Sequence, residues 1–109
     1  MESIFAQTDT VLIICNKNFE IIFANSSCED VFLTSKGKII NKELYLFLDN
    51  FKQVHDLSIK SLERGISYKL HDCSIRNQYY SISIKSITFN SQTSFLYEIF
   101  NTSMKKEIE

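Results

Sequence analysis

Apolar and polar positions change period twice along these 109 residues. Thr10-Val-Leu-Ile-Ile-Cys15 is a continuous apolar run rich in β-branched residues, which predicts a buried central strand. Asn16-Lys17-Asn18 predicts a tight turn, because Asn tolerates the left-handed region and bonds its own backbone. Residues 19–24 then return as a second strand. Residues 2–9 ahead of this hairpin read as a lead-in of one or two helical turns.

After residue 24 the period becomes helical. Asn25-Ser26-Ser27 offers N-cap chemistry, and Glu29 and Asp30 suit the positive end of a helix dipole. Cys28, Val31 and Phe32 form the apolar face of that short helix. Residues 33–38 read as a polar break containing Gly37. Residues 41–49 predict another short helix, with Leu44, Phe47 and Leu48 at helical spacing. Asp49-Asn50 predicts the cap of a longer helix over 51–64, stopped by Arg64 and Gly65.

Beyond Gly65 the period drops to two. Ile66, Tyr68, Leu70 and Asp72 alternate with Ser67, Lys69, His71 and Cys73. A turn is expected over 74–78. A half-buried strand follows over 79–87, with Tyr80, Ile82 and Ile84 on one face and Ser81, Ser83 and Lys85 on the other. Residues 88–93 read as a polar loop, 94–100 as the last strand, and 103–109 as a helix-prone tail. Two strands, three helices and three strands predict an α+β domain. Its sheet can be wholly antiparallel, with the helices on one face.

Composition narrows the classes. A length of 109 residues suits one domain, and 44% hydrophobic residues can bury a core. The formal net charge of -1 gives no electrostatic reason to expect nucleic acid or an anionic membrane surface. No apolar run approaches a membrane span, and the start carries no signal-peptide pattern. The three cysteines, Cys15, Cys28 and Cys73, are scattered without a CxxC pair. Reduced, buried thiols and a cytoplasmic location are therefore expected. Two glycines and no proline leave no Gly-rich phosphate loop.

The order of these features resembles a PAS domain over nearly the whole chain. Leu12 to Asn25 is similar to the family's opening hairpin, which ends Tyr/Phe-Ala-Asn, and Asn25 stands where the family starts its first helix. Phe32 resembles the aromatic of that helix, and Leu44 to Leu48 resembles the family's next short helix. Asn101-Thr102-Ser103 resembles, with Asn in place of Asp, the triplet that opens the signalling helix. The resemblance implies a five-stranded sheet in the order 2-1-5-4-3, a space between sheet and helices, and homodimers. Among PAS domains the chain is most similar to the N-terminal sensor of nitrogen-regulation histidine kinases, and its start at Met1 suits that position. The implied division is a cap segment over 1–9, the PAS domain over 10–102, and the start of a signalling helix over 103–109. The implied role is a cytoplasmic sensor in a two-component system controlling transcription, with a downstream kinase or other effector as partner.

Candidate chemistry centres on His55. At about 100° per residue, Phe51, His55, Ser58, Ile59 and Leu62 share one side of the 51–64 helix. His55 is expected to face the sheet. Haem-binding PAS domains carry their axial histidine on this helix, and His55-Asp56-Leu57-Ser58-Ile59 resembles their pattern. The arginine that meets haem propionates is replaced by Ser61. Light-sensing PAS domains need a cysteine in the second short helix, and Asn41-Lys42-Glu43-Leu44-Tyr45 has none. A cofactor-free domain is therefore the leading expectation, with haem or another small molecule as the alternative.

Of Tyr68, Tyr79, Tyr80, Phe95 and Tyr97, alternation sends some inward and others outward, with Tyr79 and Tyr97 the outward candidates. The candidate pocket is His55, Ile59, Phe47, Tyr80, Ile82 and Tyr97. Asn25, Asn101 and Ser103 are candidate structural or signalling positions. The pairs His55-Asp56 and His71-Asp72 diverge in direction, and nothing sets a nucleophile, base and orienter together. The domain itself is expected to be non-catalytic.

Overall fold

The computed structural model describes residues 10–101, and its strands and helices follow the predicted order. The cap segment 1–9, the tail 103–109 and Ser103 lie outside the described residues. Strands β1 (Val11–Cys15), β2 (Ile21–Ala24), β3 (Tyr68–Ile75), β4 (Gln78–Phe89) and β5 (Gln92–Asn101) form one sheet in the order β2-β1-β5-β4-β3. All pairings are antiparallel. The helices are α1 (Ser27–Phe32), α2 (Lys36–Ile39) and α3 (Phe51–Arg64), with a 3-10 turn over Leu44–Leu46.

Strand alternation sorts the sheet into two faces. Tyr68, Ile84, Tyr97, Ile13 and Ala24 form one cross-strand row of the core face. Leu70, Ile82, Ile99 and Val11 form the next. The buried members of these rows join Cys15, Ile21, Cys73, Ile75, Tyr80 and Phe95 from the sheet, and Cys28, Phe32, Ile39, Leu44, Leu48 and Val54 from the helical side, to make the core.

The first turn is longer than expected, since the second strand starts at Ile21, two residues later than 19. The Asn16 carboxamide oxygen accepts from the backbone N–H of Asn18 at 2.9 Å and of Glu20 at 3.0 Å. This hold carries Phe19 into the left-handed region, at φ 64°, and takes it out of the strand. The first helix lacks its expected side-chain cap. Asn25 instead turns back to β1. It accepts from Leu12 N at 3.1 Å and donates to the Thr10 carbonyl at 3.2 Å, so the end of the β1 ladder competes successfully for its amide. Asp49 and Asn50 likewise bond Ser74 on β3 rather than the first turn of α3.

The segment between α1 and α3 corrects two expectations. The supposed polar break contains α2, whose first N–H, on Lys36, is accepted by the Glu29 carboxylate at 2.9 Å. The expected helix over 41–49 shrinks to the single 3-10 turn. Leu44 and Leu48 are nevertheless buried, because an irregular path delivers them to the same core.

The predicted phase of β3 reverses partway. Leu70 pairs with Ile82 and Cys73 with Tyr80, so one extra residue sits in a β-bulge at His71-Asp72, with Asp72 at φ 60°. Cys73 and Ile75 therefore face the core, where unbroken alternation had put Cys73 with the polar set. The turns also shorten to two residues, Arg76-Asn77 and Asn90-Ser91, all at positive φ as hairpins of this length require.

Candidate functional site

Helix α3 sits about 70° round from its expected orientation, judged from the angular positions of its residues. Val54, Ser58 and Ser61 are buried, whereas Leu62 is 41% exposed. Apolar counting misplaces the face because two of its three buried positions are serines. Each serine makes a bond that a larger apolar side chain would prevent. Ser58 donates to the Val54 carbonyl at 2.7 Å, so the Tyr97 hydroxyl, also at 2.7 Å, must donate to Ser58 Oγ. Ser61 donates to the Ile66 carbonyl at 2.6 Å and accepts from Ser86 N at 3.1 Å. The helix is thus tied to β5 through Ser58 and to β4 through Ser61. Ser61, the position of the missing haem arginine, is a fully buried structural tie.

Tyr97 lies inward, 1% exposed, which corrects its placement among the outward tyrosines. Burial pushes its hydroxyl well above the usual phenol range, against the opposing effect of the Ser58 bond. Tyr80 and Ile82 are also buried on the core face, and Tyr80 is raised for the same reason. Tyr79 is 57% exposed, as expected of the outward set. The Tyr68 hydroxyl is buried without a hydrogen-bond partner.

Replacing Ser58 with Ala should cost about 1–3 kcal/mol, since it orphans a buried phenol. Adding Tyr97→Phe should recover most of that loss, because both partners then go. Urea unfolding of the wild type, the two single variants and the double variant reads this directly. A double variant no better than Ser58→Ala would refute the pairing.

His55 sits at the rim rather than against the sheet, with 44% of its side chain exposed and Nδ1 3.6 Å from an Asp56 oxygen. Its ring lies 4.7 Å from Phe19 and 5.9 Å from Phe51, centroid to centroid. Phe19 in turn stacks on Phe95 at 5.1 Å with the rings 10° from parallel, and meets Phe51 edge-on at 5.6 Å. The space beside His55 is therefore filled by aromatic rings, and the decisive one, Phe19, comes from the first turn. Phe47 packs half-buried against Phe32, at 5.2 Å, and Ile59 is half-buried on the flank of α3. Among the described residues the six candidate pocket residues thus do not converge on one opening, and two shallow clefts lie elsewhere. One, of about 250 Å³, is lined by Ser61, Gly65, Ile66, Ser67, Lys85 and Ser86. The other, of about 170 Å³, runs from Leu62 to Thr88 and Thr93.

All three cysteines are buried free thiols. Burial pushes Cys15 up to about 12 and Cys28 and Cys73 up to about 11, so they are protonated and unreactive near neutral pH. Among the described residues no group of three or more His, Cys, Asp or Glu could hold a metal ion, and no helix is long and apolar enough to cross a membrane.

On the opposite sheet face, the cross-strand row Phe23, Ile14 and Leu96 is apolar and ends at Lys85. Ile14 is 7% exposed yet lies outside the core cluster. Phe23 is 40% exposed and within 6.4 Å of Phe89. Lys69 reaches over Phe100 at 5.6 Å.

No protein-family model matches the chain, and no curated protein sequence matches it either. Solved structures do. The PAS domain of nitrogen regulation protein NR(II) from Vibrio parahaemolyticus is 21% identical, with a TM-score of 0.74 over 91% of this chain and 94% of that one. The PAS domain of histidine kinase ThkA is 17% identical, with a TM-score of 0.66 over 84% and 97%. The PAS domain of the Cronobacter turicensis quorum-sensing receptor RpfR, solved in complex with BDSF, is 12% identical, with a TM-score of 0.67 over 87% and 95%. With the strand order and helix placement described above, these likenesses identify the fold of this chain as the PAS fold.

Proposed function

We propose that this domain is a regulatory sensor and dimerisation module of a two-component signalling protein. The observation that carries this reading is the apolar row Phe23, Ile14 and Leu96 on the sheet face away from the helices. An apolar sheet face that none of the described helices covers is the mark of a partner site. A second copy is the occupant proposed here, with the chain's N-terminal segment contributing to the contact. A change in how two copies meet would pass through residues 101–109 into a downstream helix of a histidine kinase. That transmission requires two arrangements whose balance a signal shifts by differential affinity. Likeness to PAS domains of a nitrogen-regulation protein and of a histidine kinase supports the choice of pathway.

The wild type should run as a dimer in size-exclusion chromatography with light scattering. Phe23→Asp should convert it to a monomer with an unchanged circular dichroism spectrum, because Phe23 is outside the core. A wild type that stays monomeric at high concentration counts against the reading.

A receptor version is the second reading, and the ligand complex of the RpfR domain is what favours it. Haem fits poorly here. The slot it would need beside His55 holds the Phe19 and Phe95 rings, and the Ser58–Tyr97 bond closes the helix onto the sheet. The proposed module is therefore free of haem, and an absorption spectrum of the purified protein with a Soret band would overturn that part.

A further inference from the structure

An open sheet invites pairing along its edges, and this sheet guards two of them. At β2, Ile21 N donates to the Lys42 carbonyl at 2.8 Å and the Ile21 carbonyl accepts from Asn41 N at 2.7 Å, so this stretch of chain lies along that edge. At β3, the bulge at His71-Asp72 breaks the edge, and Asp49 and Asn50 bond Ser74 beyond it. Along β4 the cover stops short. β5 pairs with β4 up to Phe89, whereas β3 reaches only Ile84, opposite Tyr68.

Ser61 explains why β3 stops there. The next rung of the ladder would join Ile66 to Ser86. Instead Ser61 Oγ donates to the Ile66 carbonyl at 2.6 Å and accepts from Ser86 N at 3.1 Å. One hydroxyl thus stands between the two backbone groups and holds the strands apart. The two-residue turn Asn90-Ser91 makes Phe89 and Gln92 a hydrogen-bonded pair. Lys85 and Ile87 therefore aim their backbone groups at β5, and Ser86 and Thr88 aim theirs away from it. The bond from Ser86 N to Ser61 has this phase. Among the described residues, the Thr88 N–H and carbonyl and the Ser86 carbonyl are left open on this side. The two shallow clefts lie along the same edge and share Ser86.

We propose that the β4 edge at Ser86–Thr88 is a docking site for an extended segment of a partner protein, in which apolar and acidic residues alternate. Such a segment would add to the sheet by exchanging two backbone bonds with Thr88 and donating one to the Ser86 carbonyl. Alternation fixes its side chains. Those on the helix side would meet Leu62, 41% exposed, and those on the other side would lie beside Lys85. Lys85 is the one charged residue lining the two clefts, so a carboxylate is the complementary group. A second copy is a poorer occupant, because it would bring another Lys85 and no carboxylate from its own lining. This edge is separate from the apolar row proposed for dimerisation, and either can fail without the other.

The probe is the capped peptide acetyl-Val-Glu-Val-Glu-Val-amide, titrated into the full 109-residue chain and followed by NMR. The amide shifts should centre on Ser86 and Thr88. Replacing both glutamates of the peptide with lysine should weaken binding at least fivefold. Thr88→Pro should weaken it at least tenfold while the domain stays folded, because the proline removes an N–H from the open side and none from the β5 ladder. Methylating the three valine nitrogens of the peptide should abolish binding, and this measurement decides the matter if Thr88→Pro does not fold. Absence of binding at millimolar peptide overturns the inference, as do shifts centred elsewhere or equal affinity for the lysine peptide. Unchanged affinity in a folded Thr88→Pro or with the methylated peptide also overturns it. So does slow hydrogen exchange of the Thr88 amide in the free protein, which would mean that a second copy or the chain's own residues 1–9 or 102–109 already cover the edge.

Discussion

Between pH 9 and 11 the domain is expected to lose stability at up to roughly 4 kcal/mol per pH unit, because three thiols each contribute about 1.4 kcal/mol per unit. In the unfolded chain Cys15, Cys28 and Cys73 lose their protons near the ordinary value of 9.0. In the folded chain burial holds Cys28 and Cys73 protonated up to about 11 and Cys15 up to about 12. The unfolded state therefore binds fewer protons across this window, and stability falls as pH rises. Below pH 9 the three thiols are protonated in both states and their contribution is complete. Tyr97 acts in the same direction above its ordinary value of 10.0, because burial disfavours its charged form. Small domains hold only about 5–15 kcal/mol in all, so this loss is enough to bring on alkaline unfolding. Urea midpoints measured at half-unit pH intervals give the slope. Cys15→Ala should reduce it by about 1.4 kcal/mol per pH unit above pH 9. An unchanged slope in that variant would show that burial of Cys15 does not govern the alkaline limb.

Phe95→Ala should be the most damaging of the aromatic truncations, costing about 3–5 kcal/mol. Phe95 is 1% exposed, and its backbone pairs with Cys15 on one side and Ser86 on the other. Because both neighbouring strands are locked in their ladders, the strand side of the cavity cannot close. The removed ring also leaves Phe19 without its parallel partner, and Tyr97 without a ring contact at 6.5 Å. In a domain of this size the melting temperature should fall by about 15 °C or more. Phe95→Leu should keep a large part of the loss at bay by filling most of the volume. A loss under about 1 kcal/mol for Phe95→Ala would mean that the Phe19 ring has collapsed into the gap, which its position on a turn makes the competing outcome to watch.

Much of the architecture is legible in the order of residues. The run Val11–Cys15, the return through Ile21–Ala24, the helix ended by Gly65 and the alternation of Tyr80, Ile82 and Ile84 each carry a local period, and local period reflects burial on one face. Gly65 stands at φ 70°, where glycine is the natural residue. Strand order is different. The order β2-β1-β5-β4-β3 was suggested by likeness to a family, since no local pattern tells β1 to pair with β5.

The candidate site was less legible, for a reason visible in particular residues. Periodicity reports which side of an element is apolar, but Ser58 and Ser61 are polar residues that take the inward side because each finds a buried partner. Two small serines three apart, in line with Val54 on the helix, were the available signal. The bulge at His71-Asp72 likewise left no mark beyond an exposed Asp that tolerates positive φ, and it reversed the placement of Cys73.

The chain's own pattern determined that one α+β domain would form, with two strands, a helical segment ending in the long helix over 51–64, and three strands, because burial of one face per element dictates its period. Only the tertiary structure decided that Phe19 leaves its strand and fills the space beside His55. That choice depends on Asn16, whose carboxamide bends the turn, and on Phe95, which is 76 positions later and offers the face on which the ring comes to rest. Contacts so far apart in the chain are selected by shape and hydrogen bonding in the folded state, which no local period encodes.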